Sequence, residues 1–569
     1  MEGPERSTGV VIGGLAVALA VIALRLPLWL LPGPGRDEAA YHYWAHHPEP
    51  AFAPLVQLVI RVFELPLGHS LWALRAPVAL LGVIVLWLQD ERLRRSGSST
   101  ALRLLSAAVL ALAPGLGFSG SILHPDGFLL ASLLALVVFA QKRQVLGIAL
   151  AASLAALSKP TGAIALPVAW WLIGAFSSSS PACTWTTRTW IARAVLIVGA
   201  LPLALATGTG LLAAIGEFGH MAPDVSLPSR LGTWGIALLF AGGVLLPWLG
   251  IRGGIARVRL LRRTRHAGSW VDSPDTREAA AALATGGLLL AFFLIAAAFR
   301  GQFKPNWILP GLVLLLPTGV SCAVPGRVQD RAPDQAGPRT PNRPQDRGHL
   351  PTTDREGGRR TIGPRKGSAP QCSTARGARF ILAVGLAFSF ACSVCQTLVL
   401  RDPDIVVSAE AALERRGLAR SPLDYTVHAG TREADVSSSA TWRARFAEYQ
   451  DASGFAEGVR SEWAEAAPAP LQHIVSDDYG LAMQLQWYLG PGEIQVTVPG
   501  DGVFRRTVRD ALRGAERDTT GHELLLLPVH GEPGRVWDRV PPGEGLGEVR
   551  HPTTEVALRP YRTHFRRDS

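Results

Sequence analysis

The sequence predicts a polytopic all-α membrane protein of about 11 transmembrane helices, followed by a small C-terminal extracytoplasmic α/β domain. Three observations lead there. Apolar stretches of about 18 to 22 residues recur up to roughly residue 400, each long enough to cross a bilayer as a helix. Only 18% of the 569 residues are charged, against roughly 25% in an average soluble domain. After Leu400 the apolar stretches stop and the composition becomes that of a soluble fold.

The spans fall near 10–31, 71–89, 101–118, 127–140, 145–158, 163–177, 191–214, 231–251, 280–299, 306–323 and 379–400. The first could be read as a signal peptide, but Glu2 and Glu5 stand beside Arg6 in its leading region, so it reads as a retained helix. Basic residues test the topology. Arg92, Arg94, Arg95 and Arg103 lie in one connection, Lys142 and Arg143 in a second, and the arginines from Arg252 to Arg265 in a third. With the N-terminus inside, all three fall on the cytoplasmic side, as the positive-inside rule requires. The net charge of +11 is therefore a topology signal and not a nucleic-acid footprint. Tryptophans such as Trp29, Trp72, Trp87, Trp170 and Trp248 sit near span ends, where interfacial belts form.

Residues 1–324 read as the membrane domain, 325–378 as a disordered Arg/Pro-rich cytoplasmic linker, 379–400 as the last span and 401–569 as the outer domain. In the tail, Leu471 to Val475, Ile494 to Val498 and Leu524 to Val529 read as strands. Asp477 or Asp478 would cap a helix running to about Leu489. None of the five cysteines lies beyond residue 400, so the tail has no disulfide framework. Cys392 and Cys395 form a C-x-x-C inside an apolar helix, where packing is the reading. Gly208-Thr209-Gly210 lies in an apolar span and carries no phosphate-loop signal.

The most informative stretch is Arg36-Asp37-Glu38-Ala39-Ala40-Tyr41-His42-Tyr43-Trp44, directly after the first span. Carboxylates at the lip of a membrane helix are costly unless they have a partner or a task. The topology collects more polar residues on the same outer side: His124 and Asp126, Lys159, Glu217, His220 and Asp224, Arg300, Lys304 and Asn306. Each has a plainer reading. Asp37 and Glu38 could cap a helix or pair with Arg36, Asp126 could be an N-terminal cap, and Lys159, Arg300 and Lys304 could be interfacial anchors. Together they suit transfer of a sugar from a polyprenyl phosphate: a carboxylate takes the acceptor's proton and cations hold the departing phosphate. Two facing acids could also bind a divalent cation through oxygen ligands, though the identity of any metal is open. No nucleotide cofactor is expected.

At these residues the chain resembles the bacterial GT-C glycosyltransferases of the protein-mannosyltransferase type, which include the lipid A aminoarabinose and galacturonosyl transferases. Four segments carry the resemblance: Asp37 to Trp44; Ala53-Pro54-Leu55 with Gly68 to Arg75; His124-Pro125-Asp126 with Leu157 to Thr161; and Lys304 to Pro310. It covers roughly residues 8 to 323, with an echo at Ser476 to Ala482 and Trp487-Tyr488-Leu489. The resemblance implies a catalytic group of Asp37, Glu38 and Asp126: Asp37 as the base, Glu38 as its neighbour that orients the acceptor or strengthens Asp37 through like-charge repulsion, and Asp126 as a second acidic group that helps position the substrate or a bound cation. It implies Lys159, Arg75, Arg300 or Lys304 at the donor phosphate, and Tyr41, Tyr43, His124 and His220 around acceptor and sugar. It also implies a polyprenyl-phosphate sugar donor, an envelope lipid or glycan acceptor, inversion at the anomeric carbon, and residence in the cell inner membrane. Ala53 in place of a first proline and His42 within the aromatic run depart from the pattern. The rival readings are a transporter or flippase of an amphiphilic lipid, which would place ionisable groups at mid-membrane within inverted repeats, and an inactive scaffold that binds a partner through the tail.

Overall fold

A computed structural model of the chain describes residues 22–47, 53–178, 184–207, 245–265, 273–300, 308–317 and 372–402, and in the tail 452–466, 473–476, 479–490 and short strands at 495–497, 523–527, 544–545, 549–550, 557–558 and 561–564. Lys304, His220 and the linker 325–371 lie outside the described residues, as does the side chain of Arg300.

The chain is a polytopic α-helical membrane protein. Its described helices are α1 (Arg36–His46), α2 (Pro54–Leu67), α3 (Leu71–Arg95), α4 (Thr100–Leu112), α5 (Pro114–Ser119), α6 (Pro125–Gln141) and α7 (Val145–Ser158). A 3-10 turn (Pro160–Ile164) leads into α8 (Ala165–Ser178), then come α9 (Thr184–Thr207) and α10 (Leu245–Arg265). The helices α11 (Pro274–Ala282) and α12 (Leu288–Arg300) are joined by a π-helical turn, and α13 (Leu309–Leu314) and α14 (Cys372–Arg401) complete the bundle. Among the described residues four segments are long and apolar enough to cross a membrane: Leu71–Arg95, Pro160–Ser177, Pro274–Ile295 and Leu382–Arg401. The helices α4, α6 and α7 are apolar but shorter.

The core follows from composition. Along α6 both flanks are apolar, so it is buried nearly all round. It packs with α7, α8, α9, α12 and α13 in one cluster built on Leu133, Leu134, Val137, Ile148, Ala152, Ile173 and Leu309. Small residues allow close approach: a Cβ added at Gly199 would lie 2.1 Å from Ser153 Oγ.

Two connections expected to be loops are helical. The helix α3 runs on to Arg95: Glu91 pairs with Arg94 and Arg95 one turn away, and Leu88, Gln89, Arg92 and Leu93 are buried. The helix α10 runs through the basic segment to Arg265, and Arg257 within it is fully buried against Glu278. The last helix starts at Cys372, earlier than the expected 379.

In the tail, α15 (Ser453–Ala466) precedes β1 (His473–Ser476), α16 (Tyr479–Leu489), β2 (Gln495–Thr497), β3 (Glu523–Leu527), β4 (Glu544–Gly545), β5 (Val549–Arg550), β6 (Ala557–Leu558) and β7 (Tyr561–His564). The strand order is β2-β1-β3-β7-β4, with β1 parallel to β2 and β3, and β7 antiparallel to β3 and β4. Helix α16 reaches the membrane bundle: Gln484 donates to the Pro34 carbonyl at 2.8 Å, and Trp487 is buried with Ala45, Val56, Ile60 and Leu74.

Candidate active site

The first site element is the N-terminus of α1. The Gly35 amide donates to Glu38 Oε2 at 3.0 Å, closing the first turn from inside. Glu38 has no exposed surface. Its Oε1 also accepts from the Leu123 amide at 3.1 Å and Arg75 Nε at 3.2 Å, and Oε2 accepts from Arg75 Nη2 at 2.9 Å. Arg75 in turn donates to the carbonyls of Trp29 (3.1 Å), Leu31 (2.6 Å) and Gly33 (2.6 Å). The sequence reading expects Glu38 at the acceptor and Arg75 at the donor phosphate; in the structure both oxygens of Glu38 and all three guanidinium nitrogens of Arg75 are engaged inside the protein. Both hold α1 against α3 and the entry to α6.

That clamp leaves Asp37, the next residue, as the outward carboxylate; its side chain is 50% exposed. One turn on, Tyr41 shares its face, half-buried and edge-on to Trp44 at a centroid distance of 5.4 Å. Tyr43 stacks on His47 at 4.4 Å.

The second element is a pair of pre-proline residues. His124 precedes Pro125, and Lys159 precedes Pro160; the following ring disfavours helical backbone, and both are extended (φ −145°, ψ 139° and φ −161°, ψ 142°). His124 thereby caps α6, with Pro125 at the position where its missing N–H costs nothing. Lys159 ends α7 beside that cap. Lys159 Nζ lies 2.7 Å from Asp126 Oδ1, and His124 Nδ1 lies 3.1 Å from Asp126 Oδ2. On its other edge, His124 Nε2 stands 3.9 Å from Asp37 Oδ2. The result is a chain Asp37–His124–Asp126–Lys159 that joins α1, α6 and α7, with Asp126 buried and Asp37 open.

A third group sits further along α1, and sequence reading missed it. His42 and His46, one turn apart, both face Glu64 of α2: His42 Nε2 is 2.8 Å from Oε1, and His46 Nε2 is 3.0 Å from Oε2. His69 Nδ1 is 3.2 Å from His42 Nε2. Burial pushes the imidazoles of His42 and His69 below their ordinary pKa. Burial alone would raise the Glu64 carboxyl, but the hydrogen bonds and charges of His42 and His46 hold it below its usual range. The available signal was the H-x-x-x-H spacing on α1, with another histidine just before α3.

No family model and no curated protein matches the chain. Among solved structures it is similar to ArnT from Cupriavidus metallidurans bound to undecaprenyl phosphate, with a TM-score of 0.50 and 14% identity over 97% of this chain and 98% of that one. It is also similar to the apo form of ArnT, with a TM-score of 0.47, 16% identity and 98% of each chain covered. The likeness extends over essentially the whole of both chains. The chain has the fold of ArnT.

Proposed function

We propose that this protein is an inner-membrane glycosyltransferase that moves a sugar from a polyprenyl-phosphate donor to an envelope lipid or glycan on the outer face. The observation that carries this reading is the Asp37–His124–Asp126–Lys159 chain, in which a half-exposed carboxylate is linked through His124 and Asp126 to the Lys159 ammonium at the N-terminus of α6. The ArnT structure with undecaprenyl phosphate supports the donor class, since that protein with the same fold takes a polyprenyl phosphate.

The geometry supports the following roles. A hydroxyl oxygen can sit about 2.8 Å from both Asp37 Oδ2 and His124 Nε2, since those atoms are 3.9 Å apart. Asp37 takes the hydroxyl proton, and the oxygen attacks the anomeric carbon from the face opposite the phosphate, inverting it. The bond from that carbon to the phosphate oxygen breaks, and its electron pair leaves with the polyprenyl phosphate. One N–H of Lys159 is held by Asp126, and the other two serve the departing phosphate, together with the positive end of α6. Arg300 and Lys304 are further candidates for that phosphate, and Tyr41, Tyr43 and His220 for the sugars. The tail, packed on α1 through α16, forms an outer domain that helps bind the acceptor, and the basic segments face the cytoplasm.

Mass spectrometry of envelope glycolipids tests this. Cells lacking the protein should lose one sugar from one glycolipid class, and wild type but not Asp37→Asn should restore it. An unchanged glycolipid profile on deletion, or full restoration by Asp37→Asn, would overturn the reading.

A further inference from the structure

The cluster on the other flank of α1 has a different chemistry. Its four members come from three places in the chain: His42 and His46 from α1, Glu64 from α2, and His69 from the turn before α3. The lone-pair atoms of three of them converge, and His69 Nδ1 reaches one of these, His42 Nε2, at 3.2 Å. The ligand atoms of His42, His46 and Glu64 all lie within 4.8 Å of one another. The closest separations, 2.8, 3.0 and 3.2 Å, approach the roughly 3.3 Å edge of a tetrahedron with metal–nitrogen and metal–oxygen bonds of about 2.0–2.1 Å.

Hydrogen bonds alone serve the cluster poorly. His69 Nε2 lies 3.1 Å from the carbonyl oxygen of Trp487, which can only accept. Nε2 of His69 therefore carries the hydrogen, and in the neutral ring Nδ1 presents a lone pair to His42 Nε2. A carbonyl that fixes the tautomer and orientation of an imidazole is what metal-binding histidines commonly have behind them. His42 is fully buried, and its Nδ1 finds no hydrogen-bond partner, so all its side-chain polar contacts lie on the cluster side. At most one proton can sit on His42 Nε2 between the lone pair of His69 and the Glu64 carboxylate. A divalent cation would meet all of these atoms at once.

The geometry points to a zinc-binding site formed by His42, His46, Glu64 and His69. Three imidazoles and one carboxylate are borderline ligands of the type zinc takes, and four protein ligands close its tetrahedral shell. The site is structural. It leaves no open position, and it is separate from Asp37 and Asp126. It ties α1 to α2 and, through His69 and the Trp487 carbonyl, holds α16 of the tail on the membrane bundle. It stands independently of the glycosyltransferase reading, because its ligands do not include the residues of the proposed transfer.

Full-length protein purified in detergent, stripped with EDTA and dialysed against zinc chloride, tests it by elemental analysis. One zinc per chain is expected in the wild type, and binding at least about tenfold weaker in the double variant His46→Asn with Glu64→Gln. Zinc should raise the thermal unfolding temperature of the stripped wild type and leave that of the variant unchanged. Cobalt chloride added to stripped wild type gives a readout that needs no variant: intense visible absorption of tetrahedral Co2+ is expected. A wild type that retains no zinc, equal zinc in wild type and variant, or only the weak spectrum of octahedral cobalt overturns the proposal.

Discussion

Arg75 meets Glu38 with two nitrogens, Nε at 3.2 Å and Nη2 at 2.9 Å, and both residues are buried. The neighbouring carboxylate, Asp37, is half exposed. Adjacent acids thus have opposite tasks, and substitution should separate them. Glu38→Gln removes the charge that balances a buried guanidinium, so it should cost about 3–5 kcal/mol of stability. Arg75→Lys should also destabilise, because one ammonium cannot span Glu38 and three carbonyls. Asp37→Asn should stay within about 0.5 kcal/mol of wild type while abolishing transfer. Thermal unfolding in detergent beside a glycolipid assay decides it; a Glu38→Gln protein as stable as wild type would show the clamp to be dispensable.

Lys159 and Asp126 should be energetically coupled. Lys159→Ala takes the ammonium away from a buried carboxylate, whereas Lys159→Ala with Asp126→Asn removes both charges of the pair. The double variant should therefore be more stable than Lys159→Ala alone, with a coupling of about 0.5–3 kcal/mol in a double-mutant cycle. Both should lack activity, since the phosphate loses its cation in each. Strictly additive stabilities would mean that the pair at 2.7 Å is incidental.

Gly162 has a steric reason to be glycine. A Cβ there would stand 1.9 Å from the Ala155 carbonyl oxygen, which is backbone and cannot turn aside. Its amide also donates to the Lys159 carbonyl at 2.8 Å, so pushing Gly162 away moves Lys159 off Asp126. Gly162→Ala should cost about 1–3 kcal/mol and lower transfer with the phosphate-side residues intact. Gly287→Ala is the control: nothing lies within 4 Å of its added Cβ, and alanine should be neutral or gain up to about 1 kcal/mol in the helix. Equal effects from the two would remove the steric argument.

The helical membrane bundle and the tail strands were legible because each rests on a local signal. Apolar length marked α3 and α14, and short apolar runs marked β1 and β3, found within two residues of their expected positions. The meeting of Asp37, His124, Asp126 and Lys159 was legible only through motifs, since nothing local brings Lys159 to Asp126. What sequence could not supply was the division of labour within Asp37-Glu38, which is decided by Arg75 far along the chain. The histidine cluster was missed because His42 stood inside an aromatic run, and Glu64 on an apolar helix gave no hint of facing it.

Arg257 was also misread for a physical reason: a basic run beside a span ordinarily faces cytoplasmic water, but this arginine turns inward. Arg257 and Arg92 share the carboxylate of Glu278, and all three are almost wholly buried. Their remaining donors reach the carbonyls of Val313 (3.3 Å), Leu314, Leu315 (2.8 Å) and Leu316 (2.7 Å), at and just past the C-terminal end of α13. Two cations thus serve the negative end of a helix whose last carbonyls have no intrahelical partner. Glu278→Gln leaves two buried guanidiniums without a counter-charge and should cost about 3–5 kcal/mol. Replacing the whole triad by apolar residues (Arg92→Leu, Arg257→Met, Glu278→Leu) removes all buried charge, which in many proteins is neutral. Here it should still destabilise, though less than Glu278→Gln, because the carbonyls of Leu314, Leu315 and Leu316 lose their arginine donors at about 1 kcal/mol or more each, while Val313 keeps the Leu316 amide. Unfolding of the two variants in detergent gives the order, and a triple variant as stable as wild type would mean that the arginines answer only to Glu278 and not to the helix end.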